Sequence, residues 1–176
     1  MGQTFSELVP ELRPYARALV DVAGQYRLNP RITSTRRTHQ QQIRLYRNFV
    51  AGRSRYPAAP PGSSAHEYGL AFDLITTPYE ALADLGATWE SWGGVWGGRF
   101  NDEIHFELPG AKHKAKQIAL TTPEGRGLLA DAFDFAVGFI PGVGEVEMAA
   151  SVLRLFPGFS ESEILAVLAE PSRIFF

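Results

Sequence analysis

Two short segments concentrate the side chains that could carry out hydrolytic chemistry. Residues 64–73 read SAHEYGLAFD and include His66 and Asp73, while residues 102–107 read DEIHFE and include His105. A catalytic zinc takes three protein ligands and leaves a fourth position for water, and a His, Asp, His set supplies these ligands without sulfur. The pattern therefore predicts a metal site formed by His66, Asp73 and His105.

Alternation along two predicted strands would turn these ligands away from the hydrophobic core. In Leu70–Ile75, Asp73 lies on the opposite face from its apolar neighbours, and in Ile104–Leu108 the same holds for His105. Glu107 shares the face of His105. It is a candidate partner that holds the histidine, an alternative base, or a solvated side chain.

Asp102 lies three residues before His105, which is the wrong parity for one face of a straight strand. A turn or bulge at residues 101–103 would bring it towards the same cleft. There its carboxylate could take a proton from the attacking water and pass it to a leaving amine. The alternative is that Asp102 only forms a turn.

The elements that must position these residues alternate between helix and strand. The sequence predicts helices at Pro10–Gly24, Thr38–Val50 and Tyr79–Leu85, strands at Arg31–Thr35, Leu70–Ile75 and Ile104–Leu108, and a surface loop at Arg53–Ser64. In the second helix the predicted buried stripe is Ile43, Tyr46, Phe49 and Val50. This order favours an α+β fold with a small sheet and flanking helices.

The chain changes character after about residue 120. We expect a domain that carries the predicted zinc site at 1–120 and a helical apolar appendage at 121–176, whose apolar residues include Leu128, Phe133, Phe139 and the terminal run 174–176. A surface this apolar must be covered. The alternatives are its own domain, a second copy, a protein partner or, least favoured, a membrane.

Composition excludes several classes of function. The 176 residues carry a net charge of −2 and no cysteine, so thiolate chemistry and cysteine-ligated metals are excluded and nucleic acid is not an expected partner. Residues 1–13 lack the pattern of a secretory signal, and no stretch has the roughly 20 apolar residues that span a bilayer. We therefore expect synthesis in the cytoplasm without a signal peptide.

The combined motifs resemble the M15 zinc peptidases, which include D-alanyl-D-alanine carboxypeptidases and phage or bacterial L-alanyl-D-glutamate endopeptidases. The resemblance rests on Ser-x-His-x-x-Gly-x-Ala-x-Asp at 64–73, Gly-Gly-Val-Trp at 93–96 and Asp-x-x-His-Phe-Glu at 102–107, with Arg37, Gln42 and Leu-Tyr at 45–46 upstream. It implies a Hedgehog/DD-peptidase-like fold in which His66, Asp73 and His105 bind Zn²⁺.

The resemblance also implies roles for residues around the metal. Asp102 would be the catalytic carboxylate, and Arg37 would contact the substrate or the developing oxyanion, unless it forms a structural salt bridge instead. Gln42 and Ser64 are predicted either to support neighbouring residues of the site or to position the substrate. Trp96 is predicted to line the cleft, with aromatic core packing as the alternative.

The predicted function is zinc-dependent hydrolysis of an amide in the stem peptide of peptidoglycan. The Gly-Gly-Val-Trp segment favours the phage-type L-Ala-D-Glu endopeptidase, acting after release from the cytoplasm or as part of a virion. One alternative is a D-Ala-D-Ala carboxypeptidase. Another is a non-catalytic wall-binding or phage tail component that docks to other tail proteins through residues 121–176.

Overall fold

The computed structural model describes residues 5–54, 56–138, 155–156 and 158–169. It is an α+β fold, as predicted. Its helices are α1 (Arg13–Gln25), α2 (His39–Val50), α3 (Leu82–Ser91), α4 (Ala111–Thr121), α5 (Pro123–Gly138) and α6 (Glu161–Leu168). Its strands are β1 (Arg31–Ser34), β2 (Ala71–Ile75), β3 (Val95–Trp96) and β4 (His105–Glu107). Short 3₁₀ helices lie at Phe5–Glu7, Ala65–Tyr68, Tyr79–Ala81 and Gly97–Phe100.

The four strands form one antiparallel sheet in the order β1-β2-β4-β3. In the register of the central pair, Asp73 lies opposite His105 and Phe72 lies opposite Phe106. Because side chains alternate across a sheet, both members of each pair project to the same face. The register therefore brings two of the three predicted ligands together by backbone pairing alone.

The face opposite the ligands forms the main hydrophobic core. Phe72 and Phe106 stack with ring centroids 5.4 Å apart, and Trp89 of α3 stands edge-on to both. Leu12, Ala16 and Leu19 from α1 and the preceding turn are part of the same buried cluster. This apolar packing fixes the pleat of β2 and β4, and with it the direction in which Asp73 and His105 point.

A second cluster joins the carboxyl-terminal segment to the rest of the chain. Ala119 of α4, Leu129 and Phe133 of α5, Phe156 and Ile164 are all buried together. The described part of residues 121–176 thus packs on the domain that carries the ligands. The division at residue 120 and docking to a protein partner stay predictions, and Phe139 and the run 174–176 lie outside the described residues.

The helix predictions hold in position but one is wrong about burial. In α2 the buried residues are Gln42 and Tyr46, whereas Phe49 and Val50 are 37% and 49% exposed. The reason is that one side of this helix faces a cleft rather than the core. The two-residue strand β3 was not predicted, and α3 extends beyond the predicted Leu85 to Ser91.

The sequence marks the amino termini of α2 and α4, two helices that contribute residues to the cavity lining. Thr38 caps α2 through a reciprocal box with Gln41, and Gly110 precedes α4 with a left-handed backbone conformation. Within the described part of the chain, no helix has the length and apolarity needed to cross a membrane.

Candidate metal centre

His66, Asp73 and His105 meet at one point of the structure, as the spacing predicts. His66 Nε2 lies 3.1 Å from Asp73 Oδ1 and 3.1 Å from His105 Nδ1, and His105 Nδ1 lies 3.3 Å from Asp73 Oδ1. All three residues are buried, with exposures of 3%, 8% and 8%. Three donor atoms from separate parts of the chain therefore converge in a protected position.

These separations fit a tetrahedral zinc. Metal bonds of about 2.0–2.1 Å place tetrahedral ligand atoms roughly 3.3 Å apart, which is close to all three distances observed. The set of two imidazoles and one carboxylate is also the chemistry that a hydrolytic zinc uses. Among the described residues, these three form the group of histidine and acidic side chains whose ligand atoms lie close enough together to hold a metal ion.

Each histidine has its second ring nitrogen held by an acceptor. His66 Nδ1 lies 2.8 Å from the carbonyl oxygen of Thr35, so this nitrogen must donate and Nε2 keeps its lone pair. His105 Nε2 lies 3.1 Å from Glu107 Oε2, which leaves Nδ1 for the cluster. A carboxylate behind a ligand histidine fixes its tautomer and increases its basicity. Glu107 is thus the partner of His105.

Charge complementarity dominates the electrostatics of the cluster. Burial would raise the pKa of Asp73, but His66 and His105 outweigh it and hold that pKa well below its usual range. Burial would lower the pKa of His105, but hydrogen bonds to Asp73 and Glu107 raise it to about 9. Such a site attracts positive charge, as a cation-binding site should.

Arg37 lies beside the cluster and is held on two sides. Its Nη2 is 3.6 Å from Asp73 Oδ2, and its Nη1 donates to Gln42 Oε1 at 2.8 Å. Its backbone N–H donates to the His66 carbonyl oxygen at 3.0 Å. The salt bridge that the sequence left as an alternative is therefore present, and the guanidinium also lines the cavity.

Gln42 corrects one sequence-based prediction. Its side chain is fully buried, with Oε1 accepting from Arg37 and Nε2 donating to the Ala59 carbonyl oxygen at 2.6 Å. Both ends of the amide are thereby engaged inside the protein. Gln42 positions Arg37 and does not face the cavity as a substrate contact.

Asp102 reaches the cleft through a turn, as expected. The 3₁₀ helix Gly97–Phe100 ends at Asn101, whose φ of 63° is left-handed, and Asp102 N–H bonds back to the Gly97 carbonyl oxygen at 2.9 Å. Asparagine tolerates this backbone region better than most residues. Asp102 lines the same cavity as the three ligands, and burial raises the pKa of its carboxyl.

Trp96 corrects a second prediction, because it packs inside the fold and does not line the cavity. Its indole Nε1 donates to the Glu103 carbonyl oxygen at 2.7 Å. A Cβ on Gly86 or Gly98 would overlap its ring. Trp96 therefore holds the turn that carries Asp102, with the glycines leaving room for the indole.

A buried carboxylate, Glu67, fixes the 3₁₀ helix that carries His66. It accepts hydrogen bonds from the backbone N–H of Gly62 and Ser64 and lies 2.9 Å from His39 Nδ1. The sequence analysis missed this residue, although Ser-x-x-Glu at 64–67 is a capping-box signal. His39, which contacts this carboxylate, has a side chain that is only 12% exposed.

An open cavity of about 820 Å³ surrounds the cluster. Leu45, Phe49 and Tyr56 line it from α2 and the following loop, and Lys112 and Phe159 line it from the side of α4. Ser64, which is buried, contributes to the lining beside His66. This volume is in the range of a ligand-binding site.

A small antiparallel sheet that presents Asp73 and His105 to an open cleft, with His66 added from the 3₁₀ helix before β2, defines a candidate zinc hydrolase. The family model described as "VanY: D-alanyl-D-alanine carboxypeptidase" matches residues 6–122. The chain therefore belongs to the VanY family, and the predictions of an M15 peptidase, of a peptidoglycan-hydrolysing enzyme and of zinc as its metal are confirmed.

Several solved structures are similar to this chain. A vancomycin-resistance D,D-pentapeptidase VanY variant from a VanB-type cassette, in complex with Zn(II), is 22% identical, covering 63% of this chain and 77% of the other with a TM-score of 0.49. VanYB in complex with D-alanine-D-alanine is 21% identical, with coverage of 63% and 76% and a TM-score of 0.47. The LdcB LD-carboxypeptidase is 22% identical, with coverage of 66% and 76% and a TM-score of 0.45. No curated protein matches the chain.

Proposed function

We propose that the protein hydrolyses an amide bond in the peptidoglycan stem peptide, with zinc held by His66, Asp73 and His105 and with Asp102 as the catalytic carboxylate. The observation that carries the proposal is the convergence of three ligand atoms within 3.1–3.3 Å of one another in a cavity that Asp102 also lines. The match of residues 6–122 to a family of peptidoglycan peptidases supports the substrate class.

When zinc is bound, it supplies Lewis acidity that activates water and polarises the scissile carbonyl. His66 would offer Nε2 and His105 would offer Nδ1, because their other nitrogens are bonded to Thr35 and Glu107. Asp73 Oδ1 would complete the protein ligands. Three ligands leave one position open, which is the arrangement of a catalytic site.

Asp102 moves the proton. In its ionised form the carboxylate accepts a proton from the attacking water, and in its protonated form it donates that proton to the departing amine. Burial raises the pKa of this carboxyl, which makes it a stronger base than an exposed aspartate. The reaction needs no covalent intermediate on the enzyme.

Arg37 has two tasks in this scheme. Its ion pair with Asp73 Oδ2 orients the carboxylate whose other oxygen faces the histidines. Its guanidinium, only 18% exposed and braced by Gln42, presents fixed positive charge to the cavity. Such preorganised charge stabilises the negative oxygen that develops as water attacks the carbonyl.

For the bond, we propose the amide between L-Ala and D-Glu, as in the phage-type endopeptidases. The Gly-Gly-Val-Trp segment at 93–96 supports this choice, as does a cavity with room for residues beyond the scissile bond. The family description favours a second candidate, removal of the terminal D-Ala by a carboxypeptidase. Delivery to the wall by release from a cell or on a virion stays a prediction.

Mass spectrometry of purified sacculi digested with the zinc-loaded protein tests the proposal. Endopeptidase action releases stem peptides that begin with D-Glu, and carboxypeptidase action releases only single alanines. Asp102→Asn should lower the rate by about 10²–10⁴-fold, as expected for loss of a general acid-base group. Glu103→Gln is the matched control, since this neighbouring carboxylate does not line the cavity.

Three outcomes of these experiments distinguish the proposed endopeptidase from the alternative functions. Loss of alanine alone would replace the endopeptidase assignment with the carboxypeptidase. Equal rates for Asp102→Asn and the parent would remove Asp102 from the mechanism. If the zinc-loaded parent bound walls but cleaved nothing, the protein would be a wall-binding component.

A further inference from the structure

Three basic side chains of lysine and arginine line the cavity: Arg37, Lys112 and Lys116. Two of them have carboxylate partners within the protein. Arg37 pairs with Asp73, and Lys116 Nζ lies 3.0 Å from Glu163 Oε2 while also donating to the Gly158 carbonyl oxygen. These contacts partly neutralise both charges before any substrate enters.

Lys112 is placed differently. Its ammonium lies 4.3 Å from the centroid of the Phe100 ring, and that ring stands edge-on to His105 with centroids 6.0 Å apart. Among the described residues, no carboxylate lies within ion-pair distance of Lys112. The Phe100 ring thus contacts both the ammonium and the ligand His105, and no described carboxylate pairs with the ammonium.

The Phe100 ring is suited to hold this ammonium in place. Attraction between a cation and the face of an aromatic ring restrains the lysine without supplying a competing negative charge. The ammonium N–H groups that do not face the ring remain available as donors. The cavity therefore contains a restrained ammonium that has no carboxylate partner among the side chains the structure describes.

We propose that Lys112 binds the carboxylate of the substrate residue that supplies the leaving amine. This inference rests on the proposed function, but it holds for both candidate bonds. In an L-Ala-D-Glu amide whose chain continues through the glutamate side chain, the α-carbon beside the scissile nitrogen carries a free carboxylate. In a terminal D-Ala-D-Ala, the C-terminal carboxylate occupies the same position relative to the scissile nitrogen.

Paired synthetic peptides test the proposal. Each pair differs only at that carboxylate, which is present as the acid in one peptide and as the carboxamide in the other. The parent should favour the acid in kcat/KM, mainly through KM. Lys112→Met should raise KM for the acid by about tenfold, as for loss of one charge-assisted contact, and should leave the amide unchanged.

Two further variants control the measurement. Lys114→Met removes the same charge from the same helix, at an exposed position that does not line the cavity, and should leave the preference for the acid intact. Lys112→Arg should retain most of that preference, because the charge is kept. Zinc content should be equal in all variants, since none alters a ligand.

The outcomes separate this inference from the proposed function. Equal acid-to-amide ratios in the parent and Lys112→Met, in an active enzyme, would overturn the role of Lys112 and leave the peptidase assignment standing. If the parent cleaves neither peptide, the proposed function fails. Binding of the labelled peptides by fluorescence anisotropy then tests Lys112 alone, and loss of acid preference in Lys112→Met would still support it.

Discussion

Asp73 and His105 face each other across the central pair of strands, with Oδ1 and Nδ1 3.3 Å apart. The pairing is antiparallel and in register, so hydrogen bonds between backbones set the distance between two ligands. Only His66 must be supplied from outside the sheet, by the 3₁₀ helix that precedes β2. The register of the sheet therefore determines the relative position of two of the three metal ligands.

The hydrogen bond from His105 Nε2 to Glu107 predicts that this carboxylate contributes to zinc affinity. Replacing Glu107 with Gln should weaken zinc binding by about 10–100-fold, because the ligand imidazole loses a charged partner. Titration against a chromophoric chelator measures the effect without relying on activity. Glu90→Gln is the control, because Glu90 is a half-buried carboxylate paired with Arg99, and equal affinity in both variants would contradict the role of Glu107.

The raised pKa of Asp102 predicts the acidic side of the pH profile. A base works in its ionised form, so kcat/KM should fall as the pH drops through the pKa of Asp102. Because burial raises that pKa, the fall should begin above the ordinary aspartate value of 3.8. A series of kcat/KM measurements across acidic pH checks this, and the same acidic limb in the residual activity of Asp102→Asn would assign it to another group.

Gly97 lies close to both Asp102 and His105. A Cβ at this position would overlap the Asp102 carbonyl oxygen and the His105 Cβ. Gly97→Ala should therefore lower zinc affinity and destabilise the fold by about 1–3 kcal/mol, as overpacking does. Gly127→Ala in α5, where nothing lies within 4 Å, should be neutral or slightly stabilising in thermal unfolding. Equal melting temperatures and equal zinc affinities for the two variants would show that a Cβ at position 97 does not disturb Asp102 or His105.

A hydrogen bond between described residues ties α2 to the carboxyl-terminal segment. Tyr46 Oη donates to the Leu155 carbonyl oxygen at 2.7 Å, and Tyr46 is largely buried. Tyr46→Phe should lower the free energy of unfolding by about 1 kcal/mol, the usual net value of such a bond. Denaturant unfolding measures this, with Tyr26→Phe at a 74% exposed position as control. No difference between the variants would mean that the segment does not dock on α2.

The metal ligands were predictable because strand alternation and zinc chemistry are both local rules. Parity along β2 and β4 placed Asp73 and His105 away from the core, and the structure adds the register that joins them. Asp102 was predictable as a turn residue for the same reason, since its parity excluded a straight strand. The spacing of residues along the chain was therefore enough to predict the metal ligands and Asp102.

The remaining errors concern side chains whose surroundings come from distant parts of the chain. Gln42 seemed suited to a substrate, but Ala59 and Arg37 engage both ends of its amide. Phe49 fits a core stripe by helical period, yet a cleft replaces the core on that side of α2. Periodicity tells which residues share a face, whereas tertiary packing decides what that face meets.

The residues that line the cavity come from inside and from outside the part of the chain that matches the family model. The ligands, Asp102 and Lys112 lie within residues 6–122, which match the family, whereas Gly158 and Phe159 lie beyond that match and still line the cavity. Exchanging this last stretch for that of another homologue would leave the zinc centre intact and remodel the opposite wall. We therefore expect substitutions at 158–159 to change substrate preference more than zinc binding.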